Sequence, residues 1–340
     1  MNWIGRFCLL HFAFCLSGSR AVILLGFTLL AATPALWSAD IYRLTCVDVR
    51  QLGVVTVNGF PLQQFVGTNS LTVNTILDPW LFRGENTFVV AAVDPTNNFA
   101  NVTPGTIRLR LEYGIDAVPT NQPAVQRTVL FEWERQTSVR DNVLSEAIDF
   151  KAGSPFHFFE RNFLDGVGAT HRIWPGSLLR QSEFTVTPGL GSTTIRLAQT
   201  APRLVALPWQ GDAIVLTEAD RVQLAALVGA LHAALAAKDL NAFLPLVRLK
   251  TERLATAFGL TVEAQEAVIR GQLSTEILGL EGFSMLPLEP QAFDYTSHPG
   301  ANLVQVRVRG EEPIMGAGGG IRFRLTVFAS KLGGTWKYVE

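Results

Sequence analysis

The amino-acid sequence predicts an all-β sandwich followed by an α+β cone, in which three helices pack on a curved antiparallel sheet. Three observations support this fold class. Turn residues separate short β-prone runs between residues 40 and 211. A block with apolar residues at helical spacing follows, from Thr217 to about Gly282. Beyond it, apolar and polar residues alternate with the period of two that is typical of strands.

The β-rich part is punctuated at regular intervals by turn dipeptides such as Asn58-Gly59, Asp78-Pro79, Pro104-Gly105 and Pro188-Gly189. Evenly spaced short strands with such turns indicate an antiparallel sandwich or jelly roll. About 175 residues are enough to bury one two-layer core. We therefore predict one sandwich domain over residues 40–211.

Two runs in this part carry a resemblance, "VVTVNGF" and "ILDPWLFRGENTFVVAAVD". They are similar to the jelly-roll domains of galactose-binding-like proteins and to the sugar-binding domains of some glycosidases. The match extends from Asp40 to about Val93, and the resemblance implies a sandwich. Carbohydrate binding is one alternative function of this domain, through Trp80, Trp133 or Trp174.

The helical block begins at Thr217, whose hydroxyl can cap free N–H groups, with acidic residues in the first turn. A second helix is predicted to include Pro245 in its first turns and to end at Gly259. Thr261 caps the third, which ends near Gly279. Strands are predicted over residues 303–309, 321–327 and 335–339, so the apolar helix faces would be buried against a sheet.

The run "LVGALHAALAAKDLNAFLPLV" and the late strand "GTWKYVE" resemble the nuclear-transport-factor-two-like fold, which includes ketosteroid isomerase and polyketide cyclases. The resemblance covers residues 217–340 and implies a domain at 212–340. Many members bind small molecules inside the cone, while others dimerise or serve as modules. A homodimer formed through the C-terminal sheet is therefore one expectation.

Histidine, arginine, aspartate and tyrosine side chains could line such a cone. A histidine there could act as a base or ligand, arginines on one sheet face could receive a carboxylate or phosphate, and the isomerases use an Asp base. The candidates for ligand binding are His232, Asp294, Tyr295, Arg307, Arg309, Arg322 and Arg324. The four arginines are expected on neighbouring strands. No catalytic residue, metal site or cofactor is predicted.

The first 39 residues are predicted to be a secretory signal peptide. Arg20 precedes an apolar run, and small residues follow between Ala31 and Ala39. Cleavage is expected between about Ala32 and Ala39, and an uncleaved membrane anchor is the alternative. Cys46 would then be the only cysteine of the mature chain, with a buried and inert thiol.

A net charge of −1 and the lack of any basic run give no indication of nucleic-acid binding. The leading hypothesis is a secreted or periplasmic binding protein of two domains that interacts with a protein or small-molecule ligand. Two alternatives stay open. One is an enzyme or small-molecule-binding protein that uses the cone pocket, and the other is carbohydrate binding by the sandwich.

Overall fold

A computed structural model describes residues 40–49, 52–66, 70–92, 105–115, 127–140, 143–152, 157–163, 171–173, 179–185, 191–199, 202–298 and 300–340. The predicted signal peptide and Trp174 lie outside these residues. The described chain is mostly antiparallel strands, with four α-helices between residues 218 and 272. It divides into two compact units at Val205–Ala206. The predicted domain limits at 211 and 212 stay a prediction.

Twelve strands of the described chain belong to the first unit. Their bounds are β1 Asp40–Val49, β2 Leu52–Val57, β3 Phe60–Val66, β4 Ser70–Ile76, β5 Gly84–Ala92, β6 Gly105–Ile115, β7 Arg127–Arg140, β8 Val143–Ala152, β9 His157–Phe163, β10 His171–Ile173, β11 Leu179–Thr185 and β12 Gly191–Gln199. One antiparallel sheet has the order β11-β8-β7-β6-β1-β4, and the other has the order β10-β9-β12-β5-β2-β3. The β-rich prediction is confirmed, and the jelly-roll description stays a prediction.

The core of the first unit lies between these two sheets. Phe88 of β5 and Phe131 of β7 come from different sheets, and their ring centroids are 5.3 Å apart. Leu44, Val55 and Leu109 are completely buried because apolar residues alternate along their strands. Cys46 is buried among them as a free thiol, as predicted. Desolvation raises the pKa of this thiol to about 12, which keeps it protonated and unreactive.

The side chains of Asn58 and Asn86 join the turn between β2 and β3 to the segment that begins β5. The Asn58 side-chain amide donates to the carbonyl of Trp80 (2.7 Å) and to Oδ1 of Asn86 (2.8 Å). The Asn86 amide donates to the carbonyls of Phe82 and Gly84, and its Oδ1 accepts from the Phe82 N–H. Asn86 is fully buried, so these bonds satisfy backbone groups that water cannot reach.

Replacing Asn86 with alanine is expected to destabilise the first unit by about 1–3 kcal/mol, because buried backbone groups lose their partners. Asn74→Ala is the matched control. Its side chain accepts one bond from Thr45 at an exposed position, so its loss should stay within about 0.5 kcal/mol. Calorimetric unfolding of both variants measures the difference. Equal effects would show that the Asn86 network does not stabilise the unit.

The four helices of the C-terminal unit are α1 Glu218–Ala236, α2 Leu240–Leu246, α3 Arg248–Phe258 and α4 Val262–Gln272, which continues as a π-helical turn. The prediction of three helices is therefore wrong, since the described chain has four. Pro245 is near the end of α2, not in its first turns, and cannot donate to the carbonyl four residues before it. The helix ends one residue later, and Val247 separates α2 from α3.

The described part of the C-terminal unit also contains seven strands. They are β13 Ser284–Met285, β14 Phe293–Ser297, β15 Val304–Val308, β16 Ile314–Gly318, β17 Ile321–Leu325, β18 Val327–Leu332 and β19 Thr335–Tyr338. The pairing order is β13-β16-β17 in one sheet and β14-β15-β18-β19 in the other. Only Thr326 separates β17 from β18, so one stretch of chain belongs to both sheets. The cone description stays a prediction.

Candidate functional site

The space between helices and strands in the C-terminal unit is filled by apolar side chains. Leu224, Val228, Leu231 and Leu235 form the buried face of α1, as their helical spacing predicts. They belong to one cluster with side chains from the other helices and from both sheets, among them Phe243, Leu244, Ile269, Leu273, Ile277, Phe283, Val304, Val306, Phe323, Leu325, Trp336 and Tyr338. Leucine and aromatic side chains therefore occupy the region where the resemblance predicted a ligand pocket.

Gly316 shows how closely this interior is packed. A Cβ atom at this position would lie 2.6 Å from Cζ of Phe283 and 3.1 Å from the sulfur of Met285. Phe283 in turn packs edge-on against Phe323, with ring centroids 6.2 Å apart. Even one added methyl group would therefore have to displace an aromatic ring.

Gly316→Ala is expected to destabilise the C-terminal unit by about 1–3 kcal/mol through overpacking. Gly229→Ala is the matched control, since its Cβ would meet nothing within 4 Å on helix α1. That change should stabilise the unit by about 0.5–1 kcal/mol, because alanine is the better helix former. Urea unfolding followed by far-UV circular dichroism measures both changes, and a neutral Gly316→Ala would indicate free space beside Phe283.

An open groove of about 270 Å³ lies between α2 and α4, and Leu244 is the one lining residue that it shares with the apolar cluster. Its lining residues are Asn241, Leu244, Pro245, Arg248, Glu266 and Arg270. Both arginines are already engaged: Arg248 pairs with Glu252 (2.7 Å), and Arg270 donates to Asn241 (3.0 Å). The groove therefore offers a ligand little unopposed charge.

His232 was predicted as a base or ligand in the pocket. The structure places its Nε2 atom 2.8 Å from the backbone carbonyl of Leu286. This contact joins α1 to the segment that follows β13. The ring nitrogen donates to an exposed backbone carbonyl, so this contact holds the segment against α1 and does not direct the imidazole into the apolar cluster.

Asp294 and Tyr295 are neighbours on β14 and point to opposite faces of the sheet, because strand side chains alternate. Tyr295 packs against the apolar cluster, and its hydroxyl donates to the carbonyl of Arg221. Asp294 is exposed and stands opposite Arg307 in the β14–β15 ladder. The two side chains therefore do not act on a shared ligand.

The four candidate arginines do not form one row. β15 pairs with β14 and β18, whereas β17 pairs with β16, so the prediction of neighbouring strands is wrong. Arg309 lies in the two-residue turn after β15, where Arg309 and Gly310 both have positive φ, and it pairs with Glu289 at 2.8 Å. Arg322 is exposed on β17.

Arg307 and Arg324 both act on the charge of Glu312. The Glu312 carboxylate accepts a hydrogen bond from Thr326 at the junction of β17 and β18, and both arginines attract it. His298 lies close to Arg307 and packs against Phe328, with ring centroids 5.6 Å apart. We call His298, Arg307, Glu312, Arg324 and Thr326 the arginine cluster. All five side chains are half-buried.

Burial controls the protonation of this cluster. Desolvation raises the pKa of Glu312 above its usual value of 4.5, although Arg307, Thr326 and Arg324 oppose the shift. Desolvation and then the charge of Arg307 lower the pKa of His298 to about 4, so the imidazole is neutral at pH 7. Groups with such displaced pKa values are typical of binding and catalytic sites, and also of structural ion networks.

His298 and Glu312 were not among the predicted site residues. The sequence contained one indication of Glu312, since Glu311-Glu312 follows the arginine strand as an obvious source of counter-charge. His298 lies in the loop after β14, and no spacing rule connects it to Arg307. Only the path of that loop brings the two side chains together.

A separate group of charged residues is completely buried beside β19. Glu340 accepts from Lys250 (2.6 Å) and from Arg253 on helix α3. The Arg253 guanidinium lies 5.1 Å from the ring centre of Trp209, which is fully buried. Charges without access to water must be paired, and here one carboxylate serves two cations.

Asp220 connects the first helix to the last two strands. Its carboxylate accepts from the hydroxyl and backbone N–H of Thr217, from Lys331 at 2.6 Å and from the Trp336 indole at 2.9 Å. These bonds, with Lys331 first, hold the pKa of Asp220 far below its usual 3.8. A depressed carboxyl pKa contributes stability above pH 3.8 and loses it as the pH falls further.

The tryptophans proposed to bind carbohydrate in the first unit are buried. Trp80 and Trp133 are 3% and 1% exposed, and Trp80 packs near Phe60 in the core. A sugar needs an open aromatic face, so the structure argues against these two residues as its platform. Among the described residues, no group of three or more His, Cys, Asp or Glu side chains could hold a metal ion.

In the part of the chain that the structure covers, no helix combines the length and apolarity needed to cross a bilayer. No family model, curated protein or solved structure matches this chain. Both resemblances inferred from the sequence therefore stay predictions.

Proposed function

We propose that this chain is an exported, non-catalytic binding protein, and that its C-terminal unit presents surface sites rather than an internal pocket. One observation supports this proposal most directly. The interior of the C-terminal unit is occupied by leucine, valine and aromatic side chains. It is packed so closely that a Cβ atom at Gly316 would clash with the ring of Phe283.

The alternative function, an enzyme or carrier that uses the cone, needs an open apolar cavity with a few polar groups directed into it. The candidates for those polar groups lie elsewhere. His232 bonds to a backbone carbonyl at the edge of β13, and Asp294, Arg309 and Arg322 are exposed. The cluster of charged groups at Glu312 also lies outside the apolar interior. These positions favour recognition at the surface.

A neutral apolar probe tests the proposal. Wild-type protein titrated with fluorobenzene should give no saturable ¹⁹F line broadening, because the interior has no space for a ring. Phe323→Ala removes a fully buried ring from the same interior and should create a site that binds the probe, as engineered apolar cavities do. Leu231→Ala on α1 provides a second cavity variant in case the first fails to fold.

Two results would overturn the proposal. Saturable binding of fluorobenzene by the wild type, abolished by Gly316→Ala, would show a working pocket. Catalytic turnover lost on substitution of a side chain that contacts this pocket would show an enzyme. Binding of fluorobenzene by the two cavity variants would show that the measurement can detect a site of this kind.

Export is the other half of the proposal and rests on the pattern of residues 1–39. The mature protein is expected to begin between about Thr33 and Ile41. N-terminal sequencing of the protein from the cells that produce it measures this directly. An intact Met1 in the membrane fraction would favour the anchored alternative.

A further inference from the structure

The groove between α2 and α4 is lined by a carboxylate that has no partner. Glu266 and Arg270 lie four residues apart on α4, the spacing at which opposite charges commonly pair on a helix. Arg270 instead donates across the groove to Oδ1 of Asn241 on α2, at 3.0 Å. Within the described chain, the half-buried Glu266 side chain forms neither an ion pair nor a hydrogen bond. The groove therefore presents a negative and a positive group that do not contact each other.

The charges around this groove cancel one another. Arg248 also lines it, and Glu252 pairs with that guanidinium at 2.7 Å, which leaves Glu266 and Arg270 as the two opposite charges that face a ligand. A ligand with a single charge of either sign would be attracted by one of these groups and repelled by the other. A zwitterion satisfies both, because it has a carboxylate for the guanidinium and a cation for the carboxylate.

The size and the other walls of the groove limit this zwitterion further. A volume of about 270 Å³ is below the range of roughly 300–1,000 Å³ that is typical of pockets for drug-sized ligands, so the ligand must be small. Leu244 and Pro245 give the groove an apolar side. Side chains four residues apart on a helix have Cβ atoms about 5–6 Å apart, so their head groups suit a ligand whose two charges are close together. In a free α-amino acid, both charged groups are bonded to the same carbon atom.

We propose that the groove between α2 and α4 binds a free α-amino acid with an apolar side chain. Glu266 accepts from the ammonium group, Arg270 donates to the carboxylate, and the apolar side chain lies against Leu244 and Pro245. Asn241 holds the Arg270 guanidinium and is a positioning residue. This inference rests on the proposed binding function, since the groove is a surface site, and it names a ligand class for that function.

L-leucine is the probe, titrated into the full chain at constant pH and ionic strength and followed by saturation-transfer difference NMR. Two analogues of leucine each lack one charge. The first, 4-methylpentanoic acid, has no ammonium group, and the second, 3-methylbutylamine, has no carboxylate. Leucine should bind at least about tenfold more tightly than either analogue, because each analogue leaves one charged side chain unmatched beside the ligand.

Substitution of the two charged residues should change the ligand preference in a crossed pattern. Glu266→Gln should weaken leucine binding about tenfold, the effect of one lost charge-assisted hydrogen bond, and should strengthen binding of 4-methylpentanoate, which it no longer repels. Arg270→Gln should weaken leucine binding to a similar extent and strengthen binding of 3-methylbutylamine. Glu263→Gln, an exposed carboxylate one turn earlier on α4, is the matched control and should leave all three affinities unchanged. A general loss of folding would weaken every ligand together.

A wild-type titration that stays flat up to the solubility limit of leucine would overturn the amino-acid site. So would an analogue that binds as tightly as leucine, which would show a site for anions or for cations only, or an unchanged leucine affinity in Glu266→Gln. None of these results bears on the closed interior, because the fluorobenzene test depends on Gly316 and not on these charges. Saturable fluorobenzene binding that Gly316→Ala abolishes would in turn overturn the proposed function and leave the leucine result standing.

Discussion

Replacing Trp336 with alanine is expected to lower the free energy of unfolding of the C-terminal unit by about 3–5 kcal/mol, the usual cost of removing a large buried aromatic side chain. Trp336 is 4% exposed and belongs to the apolar cluster. Its indole N–H also donates to the buried carboxylate of Asp220. The alanine variant would therefore lose apolar contacts and one charge-assisted hydrogen bond together.

Trp336→Phe separates the two contributions, because it keeps most of the ring contact and removes only the N–H donor. We expect it to cost about 1–3 kcal/mol. Lys337→Ala, at the exposed next position of β19, should be nearly neutral. Urea unfolding followed at 222 nm is suitable, since every α-helix of the described chain lies in this unit. A loss below about 1 kcal/mol for Trp336→Ala would contradict the buried placement.

Replacing Glu340 with glutamine should destabilise the same unit by about 3–5 kcal/mol, because the buried Lys250 and Arg253 would both lose the side-chain carboxylate that pairs with them. All three side chains are at most 5% exposed. Desolvation already lowers the pKa of Lys250 from 10.5, and Glu340 opposes that shift. Without Glu340, the pKa of Lys250 in the folded state should fall further.

The pH dependence gives this prediction a distinct signature. When the folded-state pKa of a lysine lies below its unfolded value, the unfolded chain binds more protons, so stability rises with pH. Glu340→Gln should therefore recover part of its loss as the pH rises towards 10.5. Glu311→Gln, an exposed carboxylate, should cause no loss and no such recovery. Parallel pH profiles for Glu340→Gln and the wild type would argue against an electrostatic origin.

Local patterns predicted the regular elements well. Thr217 caps α1 in a full capping box with Asp220, Gly259 ends α3 in the left-handed conformation, and Thr261 caps α4. Capping depends on neighbouring residues, so it can be recognised in the sequence. Alternation along β19 sets Trp336 and Tyr338 on one face of the strand, and both side chains are buried. It does not identify the hydrogen-bond partner of Trp336, which is Asp220 on the first helix.

The candidate site was less predictable, because it depends on how strands pair. Alternation along β15 and β17 placed Arg307 and Arg324 on one face of each strand, but did not show that the two strands belong to different sheets. The bend at Thr326 and the loop that carries His298 bring the site together. Similarly, alternation could not show that Trp80 faces inwards, since this residue lies in the short 3-10 helix Asp78–Trp80 and not on a strand.

The contacts of Asp220 also have a consequence for the order of folding. Lys331 and Trp336 are 111 and 116 residues away from Asp220 along the chain. Contacts over such distances require loop closure before they return any stabilisation, and folding rates fall as their share increases. Helix α1 is therefore synthesised well before β18 and β19, the strands with which Asp220 forms these contacts. The C-terminal unit should fold late in synthesis and slowly for its size.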